Sequence, residues 1–136
     1  MQFKADFVTH RGVYRTIMTE KLNIPATDGR RTILSNHAPI MIPLEIGIIE
    51  TNENGKYNHY AVNGGVLYFR DNYAKIVSYN VIDVEEIDVK EVLADKAKAL
   101  EQLKDEKYGR TTRAQMVVEN SNNLLKAAEK YLIKNS

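Results

Sequence analysis

The chain has 136 residues, 43% of them hydrophobic, enough for one ordinary domain or a small domain with an appendage. Nineteen basic residues against eighteen acidic ones leave a formal charge of +1, so no chain-wide positive field exists to hold nucleic acid or anionic lipid, and a partner must be recognised locally. The absence of cysteine excludes disulfide frameworks, thiolate zinc sites and thiol catalysis. No run of about 18 apolar residues is present, so direct membrane insertion is not expected.

Up to about Val84 the chain reads as short β-prone stretches separated by turn signals. Phe3, Ala5 and Phe7 alternate with Lys4, Asp6 and Val8, which gives the first strand an apolar face. Val13 to Ile17 and Lys21 to Ala26 follow, with Pro25 expected at a strand edge because proline cannot donate to a ladder. Asp28-Gly29 then marks a tight turn. Ile46 to Thr51 and Tyr57 to Val62 bracket Asn54-Gly55, a strong hairpin signal, and a third hairpin turns at Asp71-Asn72 between Val66 to Phe69 and Ala74 to Tyr79. About eight to ten strands at this spacing predict a β-sandwich or a barrel.

After Glu85-Glu86 the period changes. Val89, Val92, Leu93, Ala97, Leu100 and Leu103 recur at three and four residues and predict one helix face, with Asp88 and Glu91 as a capping pair at its start. A break at Asp105 to Gly109 precedes a second helix, opened by Thr112 and Gln115 and striped by Ala114, Val117, Val118, Leu124, Ala128, Tyr131 and Leu132. Asn120-Ser121-Asn122-Asn123 interrupts this stripe and predicts the weaker helix of an antiparallel pair. The predicted architecture is therefore a β-sandwich over residues 1–85 and a two-helix hairpin over 86–136.

Chemistry-bearing residues are sparse. His10, His37 and His59 share no spacing that converges them on a metal; His37 reads as a loop residue that steadies the turn before Pro39, and the other two as surface residues. Gly64-Gly65 lies between β-prone stretches without a following helix N-terminus, so close backbone approach is expected there rather than a phosphate cradle. The acidic run from Asp83 to Asp88 suits the positive end of a helix dipole better than a cation site. Tyr57, Tyr60, Tyr68, Tyr73 and Tyr79 divide between core and sheet surface in a way the sequence leaves open.

Three blocks carry a resemblance to a known family. They are Asp28-Gly29 through Ile33-Leu34-Ser35-Asn36-His37-Ala38-Pro39-Ile40, then Ala61-Val62-Asn63-Gly64-Gly65-Val66-Leu67, then Ile87-Asp88 opening the helical segment. In this order they resemble the epsilon subunits of bacterial F-type ATP synthases. The resemblance implies a non-catalytic rotor part of proton-driven ATP synthesis, without cofactor, metal or nucleotide site. It sits in the central stalk, peripheral to the cell membrane on its cytoplasmic side. It implies a sandwich that meets the gamma subunit and the c-ring, with Arg30, Arg31, Ser35, Asn36, His37 and Pro39 as rotor-interface residues. It also implies a regulatory hairpin that can restrain ATP hydrolysis, on which Arg110, Arg113, Lys126 and Lys130 form a basic face able to meet the alpha and beta subunits if the hairpin extends.

The sequence departs from the family pattern at three places. Gly29-Arg30-Arg31-Thr32 carries a base where the family often has an acid facing the ring, so either the ring loop has changed to match or the chain is an adaptor of a non-synthase rotary ATPase. Glu91 stands where nucleotide-sensing relatives have arginine, and a carboxylate repels phosphate, so no ATP binding is expected. Thr9-His10-Arg11-Gly12 lacks the usual proline. A small β-sandwich enzyme or ligand-binding module with a helical tail is the remaining alternative, and no acid-base constellation supports it.

Overall fold

The computed structural model describes residues 1–104 and 111–132. The predicted break at Asp105 to Gly109 lies outside them, as does Arg110. The chain divides into two compact units, Met1–Asp83 and Val84–Ser136.

The first unit is an eight-stranded β-sandwich. Its strands are β1 (Phe3–Thr9), β2 (Gly12–Thr19), β3 (Lys21–Ala26), β4 (Gly29–Leu34), β5 (Ile40–Glu53), β6 (Lys56–Arg70), β7 (Tyr73–Val77) and β8 (Val81–Asp83). They hydrogen-bond in the order β2-β1-β7-β6-β5-β3-β4, with β8 beside β6. The β1–β7 pair is parallel and the others are antiparallel. Two turns adopt the left-handed geometry that matches strand twist: Asn54 and Gly55 have φ of 56° and 82°, and Asp71 and Asn72 have 51° and 57°.

The short stretches expected at 46–51, 57–62 and 66–69 belong to one long ribbon formed by β5 and β6. Along β5 the buried positions run Ile42 and Leu44, then Ile49 and Thr51; along β6 they run Tyr60 and Val62, then Leu67 and Phe69. The inward parity thus changes midway on both strands. At the changeover the pairing steps from Leu44–Gly65 to Ile46–Asn63, and Gly64 and Gly65 take φ of 70° and 120°. The ribbon turns over here, so its two halves serve opposite layers around one core. A Cβ on Gly65 would lie 1.9 Å from the Val77 carbonyl oxygen, which leaves no room for any side chain. Since β6 continues to Arg70, the double glycine serves close backbone approach, as its setting predicted.

Between the layers lie Phe3, Phe7, Leu22, Ile24, Ile33, Ile49, Tyr60, Leu67, Phe69 and Ile76, all essentially excluded from solvent. Phe3 meets Phe69 edge-on at 5.3 Å and Phe7 stacks on Tyr60 at 4.5 Å. Tyr60 is the core tyrosine; its hydroxyl donates to Glu53 Oε2 (2.9 Å), which also accepts from Thr51 and Asn58. Burial and the Glu53 carboxylate hold the Tyr60 phenol well above its ordinary pKa, against the opposing influence of Arg15. Arg15 of β2 also donates to Asp83 of β8 at 2.6 Å, so Asp83 closes the sandwich by an ion pair rather than serving a helix dipole.

Pro25 corrects an expectation. It lies in β3, a strand flanked by β4 and β5, and is buried. The missing N–H is tolerated because the β3–β5 register shifts between Asn23 and Ala26, and Gly47 makes room: a Cβ there would approach Pro25 Cβ to 2.8 Å.

The second unit comprises a 3-10 helix (Val84–Glu86), α1 (Val89–Lys104) and α2 (Thr111–Tyr131). Asp88 caps α1, its Oδ1 accepting the Glu91 backbone N–H at 3.2 Å. The α1 stripe divides: Val92 is buried and Leu103 partly so, joined by Ala99, while Val89, Leu93, Ala97 and Leu100 are exposed. Alternation at three and four residues fits two neighbouring faces, and only one of them is covered. In α2, Ala114, Ser121, Leu124, Ala127 and Ala128 are buried while Met116 and Val117 are exposed. The helix runs unbroken through Asn120-Ser121-Asn122-Asn123, whose serine is among the covered residues.

Candidate docking face

Strand register assembles an apolar surface from residues far apart in the chain. Pro43 of β5 pairs with Val66 of β6, Val66 with Val77 of β7, Val77 with Val8 of β1, and Val8 with Val13 of β2. All five point away from the core, half-buried or exposed. The next row outward along the same face is Met41, Tyr68, Lys75, Asp6 and Thr16, and the third is Arg70, Tyr73, Lys4 and Met18. Met41 is 64% exposed, Val13 61%, Met18 50% and Tyr68 45%. An antiparallel sheet face that meets only water alternates apolar-in with polar-out. Here every strand of the layer contributes at least one apolar outward residue, and five of them meet in one continuous row, which marks a contact surface.

Charge on this face is uneven. Asp6 accepts from Thr16 Oγ1 at 2.6 Å and from the Tyr73 hydroxyl. Those two hydrogen bonds, Thr16 first, hold its carboxyl below the ordinary value despite some desolvation, and the carboxylate in turn raises the Tyr73 phenol. Lys4 lies 5.8 Å from the Tyr73 ring centroid.

The outward positions of the other layer are mainly polar and bond to one another, with exposed Leu34 and Tyr57 at its edge. Asn23 donates to Thr32 (2.9 Å), and Arg30 donates from Nε to Asn23 Oδ1 (2.6 Å) and from its terminal nitrogen to the Ile48 carbonyl (2.7 Å). Lys21 approaches Glu50 at 3.7 Å and lies 4.8 Å from the Tyr57 ring centroid, while His59 bonds to Glu50 at 2.9 Å. This is the pattern of a solvated face. His59 is thereby more enclosed than a plain surface residue.

The residues named from sequence are dispersed. Arg30 lies across β4, β3 and β5 as a clamp on that polar face, and Arg31 pairs with Asp28 across the β3–β4 turn. Ser35, Asn36, His37 and Pro39 lie beyond the far end of β4; Arg30 and Ser35 are five residues apart along an extended chain, about 16 Å. There the Asn72 side chain accepts from the Asn36 backbone N–H (2.7 Å) and from the Ser35 hydroxyl (3.2 Å), Asn36 takes φ of 67°, and His37 N–H donates to the Leu34 carbonyl. His37 meets Phe69 edge-on at 6.0 Å, a turn-steadying role. The three imidazoles are separate: His10 stacks on exposed Tyr79 at 5.2 Å. Among the described residues of α2, Arg113, Lys126 and Lys130 are exposed. Arg113 and Lys126 are thirteen residues apart, which sets them about 140° apart around the helix. Lys126 and Lys130 share a face; Arg113 does not join it.

The docking face itself was missed from sequence. Val66-Leu67-Tyr68-Phe69 is apolar on both sides of a strand, and that excess was the available signal. Its assembly with Val8 and Val13 depends on the parallel β1–β7 pairing, which no local pattern reveals.

Residues 2–84 match the family model for the ATP synthase delta/epsilon chain β-sandwich domain. An ATP synthase epsilon chain of Lactobacillus delbrueckii subsp. bulgaricus is 35% identical over 101 residues, covering 71% of this chain and 69% of the relative. One from Lactobacillus gasseri is 32% identical over 120 residues, covering 85% and 82%. Among solved structures, a chain of the Euglena gracilis mitochondrial ATP synthase (OSCP, F1 and c-ring) superposes with a TM-score of 0.73 at 19% identity, covering 93% of this chain and 81% of its own, a likeness of fold.

Proposed function

The chain belongs to the delta/epsilon family of ATP synthase subunits, and from that membership we propose that it is the epsilon subunit of an F-type ATP synthase rotor, joining gamma to the c-ring and performing no chemistry itself. The observation that carries the assignment of its gamma-binding surface is the apolar outer face of the β2-β1-β7-β6-β5 layer. Covering an exposed Val-sized side chain on docking contributes about 1.5 kcal/mol or more, and half-buried Val8, Val66 and Val77 contribute less each, so the five-residue row and Met41 supply the core of an interface.

A rotor part must turn with its neighbours without deforming. The β5–β6 ribbon, paired from Ile40–Phe69 to Glu53–Lys56, and the Arg15–Asp83 closure supply that stiffness. The β1–β2 and β3–β4 turns are assigned to the c-ring end, with Arg31 and Arg30 behind them; Arg30, engaged by Asn23 and Ile48, acts there as a clamp on the sheet. Ser35 to Pro39, at the other end of β4, are assigned to the rotor contact through the loop that Asn72 holds.

The helical unit is assigned the regulatory role. Its uncovered residues Val89, Leu93, Leu100, Met116 and Val117, with Lys126 and Lys130, support a hairpin able to meet the catalytic subunits when it extends. The subunit resides on the cytoplasmic side of the membrane as a peripheral component; among the described residues no helix is long and apolar enough to cross one.

The test is direct binding of the full chain to its gamma subunit. Val13→Asp with Met41→Asp, both at exposed positions, is expected to preserve the fold and weaken association at least about tenfold. Unchanged affinity would remove this face from the account.

A further inference from the structure

We propose that Lys4 and Lys75 make the docking face selective for a gamma surface whose apolar patch is bordered by carboxylates. The proposal rests on the reading of that face as the gamma contact. Lys75 lies in the row of Met41, Tyr68, Asp6 and Thr16, and Lys4 in the row of Arg70, Tyr73 and Met18, so each ammonium group has apolar neighbours beside polar ones.

The chain treats its cations differently on its two faces. On the polar face Lys21 has Glu50 and Tyr57, and Arg30 has Asn23 and the Ile48 carbonyl. On the docking face, no carboxylate among the described residues lies within ion-pair distance of Lys4 or Lys75. Asp6 lies nearest in register, and its carboxylate, which accepts from Thr16 and Tyr73, attracts both lysines without forming a close ion pair with either. Arg70, at the edge of the same face, approaches Asp71 at 3.5 Å. The face thus presents two lysines that share the single Asp6 carboxylate, a net positive charge beside a valine row.

An ammonium covered by a purely apolar partner loses hydration without replacement, which is strongly unfavourable. A partner with carboxylates opposite Lys4 and Lys75 removes that penalty and gains electrostatic steering. Apolar area then supplies affinity, and the lysines exclude surfaces of the wrong charge.

The experiment measures binding of the full chain to gamma at about 0.05 M and 0.5 M NaCl, a range that largely screens exposed charges. Three proteins are compared: wild type, Lys4→Glu with Lys75→Glu, and Val13→Asp with Met41→Asp. Retained thermal unfolding confirms that each is folded. The charge-reversed chain is expected to bind about tenfold or more weakly at low salt, mainly through a slower association rate, with the deficit shrinking at high salt. If it binds as tightly as wild type while the Val13/Met41 variant does not, the face stands and the carboxylate border is refuted. If both variants bind like wild type, the docking face and the inference resting on it fall together.

Discussion

At Gly65 the backbone itself dictates the residue. With φ at 120° and the Val77 carbonyl 1.9 Å from any Cβ, Gly65→Ala forces the β6 and β7 strands apart. It is expected to cost about 3 kcal/mol or more in urea unfolding, whereas Gly55→Ala, with open space around it, pays only for its left-handed turn, about 1 kcal/mol. Asp6 and Tyr73 give a pH signature. The folded Asp6 carboxyl is held below its unfolded value by Thr16 and Tyr73, so its contribution is complete above about pH 4 and is lost as pH falls through the folded value. The Tyr73 phenol is raised by Asp6, so its contribution is complete below about pH 10 and is lost as pH rises through the folded value. Tyr73→Phe should lessen the alkaline loss, leaving the share that the raised Tyr60 phenol contributes, and leave part of the acid loss, because Thr16 still donates; unfolding curves across pH read both slopes.

The β5–β6 ribbon shows how much of an element is legible locally. Asn54-Gly55 and Asp71-Asn72 announced their turns because only a few residues accept positive φ, and the alternation of β1 announced its buried face. What the pattern concealed was continuity: the parity change at Gly64-Gly65 makes one strand look like two. Pro25 misled for a similar reason, since a register shift in β3 and a glycine opposite make an interior proline tolerable. In the helical unit the Asp88 cap was legible, whereas the covered face of α1 was not, because apolar residues occupy adjoining faces and only the neighbour decides between them. Asp88→Ala should cost α1 about 1 kcal/mol. Removing residues 88–136 should leave a folded sandwich that still binds gamma, since the core aromatic and aliphatic residues all precede Asp83; circular dichroism and a binding titration check both points.

Taken whole, the sandwich has one face of mainly polar, mutually bonded residues and one that carries a continuous apolar row, an asymmetry suited to a subunit held against a partner. The architecture and family were legible because turns, paired glycines and the change of period are local features. The docking face was not, because Pro43, Val66, Val77, Val8 and Val13 become neighbours only through long-range pairing. The rotor assignment also predicts no ATP binding by the isolated chain: with Glu91 capped onto Asp88 at the start of α1, calorimetry at about millimolar ATP, a scale of about 4 kcal/mol, should record no association. The most direct measurement of the central claim is copurification of the tagged full chain from its native host. Recovery with alpha, beta, gamma and c subunits is the predicted result; recovery of the chain without gamma would contradict it.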